Sequence, residues 1–297
     1  MNDKQSRSSG ALMLLVTSMC AFGTIGLFRR LIPLPSGTIA FFRGLIGTIT
    51  LALVMLVTKK KPDLAAIKRN LALLVISGAA IGFNWILLFE AFNYTSVATA
   101  TLCYYMAPMI VVALSPFLLR EKMTLKRLCC VAVTLAGAVL VSGVLSGGSV
   151  GLRGILLGLG AAALYASIIL MNKFLKEIDA YDKTVIQLAA AAVVMLPYTL
   201  LAEQVELSAF TPMATILLLV VGVFHTGISY AMYFGSVGML PAQTVAIFSY
   251  IDPALAVILS ALVLREPIGI PEIVGAVLIL GSAVAGEIEF GKRKNKT

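Results

Sequence analysis

The chain has 297 residues and a net charge of +9, and 60% of its residues are hydrophobic while only 12% are charged. Soluble domains carry roughly 45–50% apolar and about 25% charged residues, so the composition excludes an ordinary soluble domain and predicts a protein that resides in the lipid bilayer. The basic residues lie in short segments between apolar runs, a distribution typical of membrane topology signals rather than of nucleic-acid binding.

Ten apolar runs of about twenty residues, each long enough to cross a bilayer, follow one another along the chain. We interpret the first as a retained helix rather than a signal peptide, because no small-residue cleavage site follows it. The predicted fold class is an all-α integral membrane protein with ten transmembrane helices. The predicted helices are residues 11–28, 36–57, 70–92, 95–119, 125–145, 154–172, 183–202, 213–236, 241–264 and 268–287.

A Gly-Ser segment at 146–149 separates two similar halves of the sequence. The stretch 103–121 matches the stretch 248–266 when shifted by 145 positions: each contains a tyrosine, a proline three residues later and a terminal Arg-Glu pair. The sequence therefore predicts a duplication of one membrane unit. The predicted units are a first five-helix repeat over residues 1–145, a second over 150–290 and a basic cytoplasmic tail over 291–297.

Two prolines lie in the bodies of the fourth and ninth predicted helices, Pro108 and Pro253. A proline removes a backbone hydrogen bond and clashes with the preceding turn, but neighbouring helices can compensate for this inside a membrane. We predict that both prolines act as hinges. Glu121 and Glu266 end the same two helices, and we expect each to cap the helix that follows it in the chain.

The basic residues also predict an orientation. With the N-terminus in the cytoplasm, 18 of the 23 Lys and Arg residues fall on the cytoplasmic side and four on the other, with Arg43 inside the membrane. This bias predicts that both termini are cytoplasmic. Because each half contains five helices, the second half enters the membrane in the opposite sense, which is the inverted-topology repeat of many carriers.

The two halves, the mid-helix prolines and the Leu-Arg-Glu endings followed by small-residue-rich helices resemble the EamA family of the drug/metabolite transporter superfamily. The strongest matching stretches are 94–121 and 241–266, and the helix that carries Arg43 also fits. The resemblance implies a carrier in the bacterial inner membrane, commonly an exporter of amino acids or other small metabolites, that works by alternating access. It does not identify the solute or a coupling ion, and it leaves a monomer and a dimer open.

The main prediction is thus a secondary transporter for a small zwitterionic or amphipathic metabolite, acting as an exporter. The alternatives are an integral-membrane enzyme and a scaffold without transport activity. The sequence lacks HExxH, GxSxG and Walker motifs, so we expect no enzyme, no nucleotide and no cofactor. Its four cysteines have no CxxC spacing and it has a single histidine, so no metal site is expected either.

A charged residue within a predicted membrane helix indicates a functional or structural role, because a charge at the bilayer centre costs at least about 2.5–3.5 kcal/mol. Arg43 is assigned a gating or structural role, paired with a carbonyl or with Glu90, and direct substrate contact is the alternative. Asp252 falls near mid-depth, and we interpret it as a substrate-binding or proton-carrying residue, with a structural role left open. For His225, helix packing and a substrate or proton role remain equally open.

Uncharged polar residues at similar depth complete the predicted site. Asn84 either bridges helices or contacts the solute, and Tyr105 and Tyr250 each share a helix face with the proline three residues later. Together with His225 and Asp252 they lie about 14–21 Å from their helix starts, near the middle of a span of about 30 Å. We predict one central cavity in which the tyrosines bracket the apolar body of the solute and Asp252 or His225 meets its polar end.

Overall fold

The computed structural model describes residues 2–118, 124–141, 151–237 and 239–287, and every regular element within these ranges is helical. Residues 119–121 of the first repeated stretch, the Gly-Ser segment 146–149 and the tail 291–297 lie outside them. The first half contains α1 (Asn2–Gly23), α2 (Ile25–Leu31), α3 (Ser36–Val57), α4 (Leu64–Tyr94), α5 (Val97–Tyr104), α6 (Ala107–Leu118) and α7 (Leu125–Val141). The second half contains α8 (Leu152–Lys173), α9 (Ala180–Ala202), a short 3₁₀ turn (Leu207–Ala209), α10 (Pro212–Val220), a π-helix (Val221–Ile228), α11 (Ser229–Val237), α12 (Ala242–Ser249), α13 (Ile251–Leu262) and α14 (Ile270–Glu287).

The helices have the length and composition of membrane spans, which confirms the all-helical membrane protein expected from the sequence. Seven helical stretches among the described residues are long and apolar enough to cross a bilayer: Ser9–Leu31, Ser36–Val57, Leu64–Tyr94, Val97–Leu118, Leu152–Lys173, Ala180–Ala202 and Pro212–Val237. Three shorter apolar helices accompany them: Leu128–Val141, Ile247–Leu262 and Ile270–Ala285.

Large apolar side chains cover the outer surface of the bundle. Leu56 is 73% exposed, and Phe117 and Leu201 are exposed to a similar or greater degree. A soluble protein would not leave so many apolar side chains in water, whereas lipid chains solvate them without cost. The exposed faces of the helices therefore face lipid.

The two prolines sit just after breaks in their helices. A turn at Tyr105 and Met106 separates α5 from α6, ahead of Pro108. A turn at Tyr250 separates α12 from α13, ahead of Pro253. The breaks lie at equivalent positions of the two halves, where each proline lacks the N–H that would continue the ladder.

Three helices differ clearly from the sequence prediction. The eighth was expected as one α-helix over 213–236, but it contains the π-helix Val221–Ile228. The first was expected as one run over 11–28, but a turn at Thr24 divides it and α2 continues to Leu31. The third was expected to begin near residue 70, but α4 begins at Leu64, because the Asp63 carboxylate caps the helix by accepting hydrogen bonds from the Ala65 and Ala66 amides.

Close contacts at glycines hold the helices together. A Cβ added to Gly78 of α4 would lie 2.5 Å from the Gln187 carbonyl oxygen of α9, and one added to Gly82 would lie 2.9 Å from Met195. Only glycine allows the two backbones to approach so closely. The buried aromatic and aliphatic residues around them, including Phe89, form the largest apolar cluster.

The main contacts of the bundle join one half to the other. Three helices of the first half pack on helices of the second: α4 on α8 and α9, α3 on α9 and the π-helix, and α1 on α11 and α13. In addition, α5 contacts α8 and α13, and α7 pairs with α14. The space between the halves therefore has walls from both.

The bundle has two ends that differ in charge and contacts. The basic end carries the loops 58–63 and 174–179, joined by hydrogen bonds from Arg69 to the Lys176 carbonyl oxygen and from the Asp63 amide to Asp182. The far end carries the loops 32–35, 95–96 and 263–269.

Candidate functional site

Two adjoining cavities lie between the halves, one of about 430 Å³ and one of about 150 Å³. Seven residues line both cavities and form the wall between them: Phe22, Trp85, Tyr104, Tyr105, Tyr165, Tyr230 and Asp252. We call this set the shared wall. The larger cavity extends from it towards the basic end, where Asn172, Lys183 and Thr184 line it. The smaller cavity extends towards the far end, where Arg43, Leu88 and Phe92 are among its lining residues.

Four of the five predicted solute-binding residues line the larger cavity: Asn84, Tyr105, Tyr250 and Asp252. They come from α4, from the break between α5 and α6, and from the break between α12 and α13. The proline-linked breaks thus bring residues of both halves to one space. Pro108 also lines this cavity, whereas Pro253 is buried beside it in the first turn of α13.

Two neighbouring segments contact Asp252 at the cavity. Its carboxylate accepts a hydrogen bond from the Tyr105 hydroxyl, which joins α13 to the break in the opposite half. Gly23, at the end of α1, brings the first helix close on the other side: a Cβ there would lie 2.7 Å from the Asp252 carbonyl oxygen. A larger residue at position 23 would push α1 away from the carboxylate-bearing turn.

Asn84 lines the cavity and also joins two helices. Its side-chain amide donates a hydrogen bond of 2.6 Å to the Ala161 carbonyl oxygen of α8, and the residue is 2% exposed. The amide nitrogen is therefore engaged in packing, while the amide oxygen remains the group that can accept a hydrogen bond.

Arg43 lies on the smaller cavity. Its Nε donates a hydrogen bond of 2.9 Å to the Thr226 hydroxyl, and its guanidinium carbon lies 4.2 Å from the centre of the Trp85 ring. The partners expected from the sequence were a carbonyl or Glu90, but Arg43 contacts the Thr226 hydroxyl and the Trp85 ring instead. Glu90 lies five residues beyond Trp85 on α4, outside the linings of both cavities.

His225 lies outside the linings of both cavities. It is 1% exposed, its Nε2 shares a hydrogen bond of 2.8 Å with the Thr24 hydroxyl, and its Nδ1 lies 3.3 Å from the Val220 carbonyl oxygen. The Val220 carbonyl is five residues back, as the wider turn of a π-helix requires. The histidine thus connects the π-helix to the turn between α1 and α2, and Phe28 packs on its ring.

Aromatic residues that sequence analysis did not select make up most of the shared wall. Tyr104 and Tyr165 stack with ring centres 5.2 Å apart, and Phe22 and Tyr230 lie 5.4 Å apart. Tyr104 stands next to the selected Tyr105, and that adjacency was the one available signal. Tyrosine faces attract cations and apolar groups alike.

At the far end, a hydrogen-bond network around Glu266 joins α2, α5 and α13. Its carboxylate accepts hydrogen bonds from Arg30 at 2.8 Å, from the Val97 amide at 2.8 Å and from the Ser260 hydroxyl at 2.5 Å. The expectation that Glu266 caps the next helix is wrong: it caps α5, in the other half, because the Val97 amide is one of the free donors of a helix start. Its counterpart Glu121 lies outside the described residues.

The described linings of the two cavities combine one carboxylate, two basic side chains and many aromatic rings. Asp252 is the only acidic residue among the described lining residues of either cavity, and it is surrounded by aromatic rings. A carboxylate backed by ring faces suits an amine. Among the described residues, no group of three His, Cys, Asp or Glu side chains could hold a metal ion.

Comparisons with known proteins identify the family. The model of the EamA-like transporter family matches residues 8–143 and again residues 152–285. The uncharacterized transporter YxxF of Bacillus subtilis is 30% identical over 261 residues, which cover 85% of this chain and 81% of that protein. The uncharacterized inner membrane transporter YhbE of Escherichia coli K12 is 28% identical over 141 residues, covering 46% of this chain and 44% of that protein.

A solved crystal structure shares the fold, with a TM-score of 0.66 and 18% identity over 93% of this chain and 96% of that chain. The family match covers both halves, and the YxxF alignment spans most of both proteins. The resemblance found in the sequence is confirmed: the chain is a multi-span membrane protein that belongs to the EamA-like transporter family.

Proposed function

We propose that the chain is a secondary carrier that moves a small zwitterionic or amphipathic metabolite through a central cavity shared by its two halves. The observation that carries the proposal is the larger cavity, because its lining combines Asp252 with aromatic residues from both halves. Its volume of about 430 Å³ falls within the roughly 300–1,000 Å³ typical of small-molecule sites. In this proposal Tyr105 and Tyr250 contact the apolar body of the solute and Asp252 its cationic group.

We further propose that the two halves are inverted-topology repeats of five spans each. The contacts between halves support this, because they come in exchanged pairs: α4 with α8 corresponds to α11 with α1, and α4 with α9 corresponds to the π-helix with α3. The pairs α3 with α9 and α7 with α14 join equivalent helices directly. The equivalent breaks before Pro108 and Pro253 give further support.

Alternating access follows as the transport mechanism of the proposal. The larger cavity extends to the basic end through Asn172 and Lys183, while the network of Arg30, Glu266 and Ser260 holds the far end closed. The conformation described is then the one that receives solute at the basic end. In the opposite conformation this network is open and the helices close over Lys183 instead.

The excess of Lys and Arg at the basic end supports a cytoplasmic location for that end and for both termini, with the protein in the bacterial inner membrane. A cavity that receives solute from the cytoplasm favours export as the direction of transport. Asp252 has a second possible task, as a carrier of a coupling proton, since it is the one acidic group among the described cavity residues.

Solute binding to the purified protein tests this proposal. Thermal unfolding is measured with amino acids, amines and organic acids, because a ligand that binds only the folded state raises the unfolding temperature. Ile169, which lines the larger cavity, is replaced in Ile169→Trp to fill it, and Ile273, which is 53% exposed on the lipid-facing side of α14, is replaced in the control Ile273→Trp.

The proposal expects that some solutes stabilise the wild-type protein and the Ile273→Trp control and do not stabilise Ile169→Trp. Equal stabilisation of both variants would place binding outside the cavity. The absence of any stabilising solute would remove the support for a solute-binding site.

A further inference from the structure

Among the described residues, few groups bind the charged guanidinium of Arg43. It is 6% exposed, and among the described residues its hydrogen bonding uses Nε alone, towards Thr226. A guanidinium carries further donors on its two terminal nitrogens. Among the described residues, Arg43 forms no ion pair. A buried charge without a counter-ion is costly, so the site favours the arrival of an anionic group.

The smaller cavity has space for an anionic group beside Arg43. Arg43 and Asp252 both line it, and they are the only charged residues among its described lining residues. Its volume of about 150 Å³ corresponds to about five water molecules at roughly 30 Å³ each, which is enough for a carboxylate and the carbon that bears it. The remaining lining residues are uncharged, and most are apolar or aromatic, so these two side chains are the charged groups that a charge entering this cavity meets.

The Trp85 ring and the Thr226 hydroxyl limit the orientation of the Arg43 guanidinium group. The guanidinium carbon lies over the Trp85 ring, 4.2 Å from its centre, and the Thr226 hydroxyl accepts the hydrogen bond of Nε. With Nε engaged and the aromatic ring against the guanidinium group, the two terminal nitrogens are left to bind two oxygens side by side. A lysine ammonium at position 43 could carry the charge but could not reproduce this paired geometry.

On these grounds we propose that Arg43 is the specificity-determining residue that recognises a carboxylate on the solute, while Asp252 recognises its ammonium group. The inference rests on the proposed function and refines it, because it assigns the anionic pole to Arg43, whereas the sequence prediction named only Asp252 or His225 for the polar end. His225 is engaged with Thr24 and Val220 and lines neither cavity. The site then requires a solute with both charges, bound across the smaller cavity with its apolar body among the tyrosines.

Three related probes separate the two poles: L-phenylalanine carries both charges, phenethylamine only the ammonium, and hydrocinnamate only the carboxylate. L-leucine, isopentylamine and isocaproate form a second set with an aliphatic body. Their affinities are measured on the purified full-length wild-type protein and on Arg43→Gln, Arg43→Lys and Asp252→Asn. Arg153→Gln is the matched control, because Arg153 also lies over an aromatic ring, that of Tyr94 at 4.0 Å, but lines neither cavity.

In the wild-type protein we expect the amino acid of one set to bind at least about tenfold more tightly than either singly charged relative, since a hydrogen-bonded charge pair is worth about that factor or more. Arg43→Gln should remove the advantage over the amine without weakening the binding of the amine, because the lost charge repels an ammonium group. Arg43→Lys should restore part of it. Asp252→Asn should remove the advantage over the acid, and Arg153→Gln should leave all affinities as in the wild type.

If Arg43→Gln lowered the affinities for the amine and the amino acid equally, Arg43 would be a packing residue and the inference would be overturned. An unchanged preference for the amino acid would overturn it as well. If none of the six probes binds but another class of solute stabilises the wild-type protein and not Ile169→Trp, the two-pole site is wrong while the carrier proposal stands. Failure of every solute would instead count against the carrier proposal.

Discussion

The network around Glu266 should control whether the far end is open or closed. Its carboxylate receives three hydrogen bonds and pairs with Arg30, whose side chain is 33% exposed while that of Glu266 is 14% exposed. In Glu266→Gln the ion pair is lost, and one oxygen acceptor becomes a donor that faces other donors. An exposed ion pair contributes about 0–1 kcal/mol, and a hydrogen bond to a charged group contributes roughly 1.5–3 kcal/mol.

We take about 1.5–3 kcal/mol as the free energy that the closed conformation loses in Glu266→Gln. This is the hydrogen-bond contribution alone, because solvent partly screens the Arg30 side chain and makes the ion-pair contribution small. If the network exists only in the conformation closed at the far end, the loss raises the population open at that end by about 10- to 150-fold relative to the closed one. The change concerns an equilibrium between two folded states, so the unfolding temperature should change less than the opening does.

Thiol accessibility measures the opening. Thr101, which is 7% exposed and lines the smaller cavity, is replaced in Thr101→Cys after the natural cysteines Cys20, Cys103, Cys129 and Cys130 have been replaced by serine or alanine. A membrane-impermeant thiol reagent applied at the far end should then react at least about tenfold faster when Glu266→Gln is added. Glu206→Gln provides the matched control, because Glu206 lies at the same end but outside the network. Equal rates with and without Glu266→Gln would refute the closure, and so would the same increase in the control.

Four further predictions follow from the described contacts. Pro253→Ala should give a folded, membrane-inserted protein that binds solute but transports it more slowly, measured as turnover in vesicles, because the break ahead of α13 becomes stiffer. If Asp252 instead carries a coupling proton and does not bind the ammonium group, Asp252→Asn should abolish gradient-driven uptake while solute exchange persists. Gly78→Val should lower the unfolding temperature, because the new side chain meets the α9 backbone at about 2.5 Å. Reporter fusions should place the loop 58–69 in the cytoplasm and the loop 204–210 outside.

Each of these has a clear contrary result. Unchanged turnover in Pro253→Ala would make the break a packing feature, and full gradient-driven uptake by Asp252→Asn would exclude proton transfer at that residue. An unaltered unfolding temperature in Gly78→Val would mean that the two helices separate freely. A cytoplasmic reporter signal from the loop 204–210 would contradict the inverted arrangement.

Hydropathy and proline positions predicted the helical part of this protein well. Residues 36–57 were predicted as a helix, and α3 spans the same residues, because the Pro-x-Pro turn before it and the lysine-rich loop after it limit the apolar run on both sides. The breaks before Pro108 and Pro253 follow from the missing N–H. The turn at Thr24 had no such signal, because no proline or polar cluster marks that position and the break arises from packing against α13 and the π-helix.

The site was harder to predict, because depth along a helix can be counted from the sequence but rotation about its axis cannot. His225 and Asp252 were placed at similar depth, yet the wider turns of the π-helix direct His225 towards Thr24 and away from the cavity. For the same reason Tyr165 and Tyr230 could not be distinguished from tyrosines that face lipid or pack between helices. Arg43 was identified as unusual from its charge, but its stacking on Trp85 depends on contact between α3 and α4 that a single sequence does not reveal.

Solute counterflow in vesicles tests the central claim most directly. Purified protein is reconstituted into vesicles preloaded with an unlabelled solute that stabilises it, and entry of the labelled solute is followed over time. A carrier with one central site predicts transient accumulation of label in wild-type vesicles, as in vesicles with the Arg153→Gln control, and little or none with Asp252→Ala. Accumulation by Asp252→Ala at the wild-type rate, or the absence of counterflow for every stabilising solute, would contradict the account.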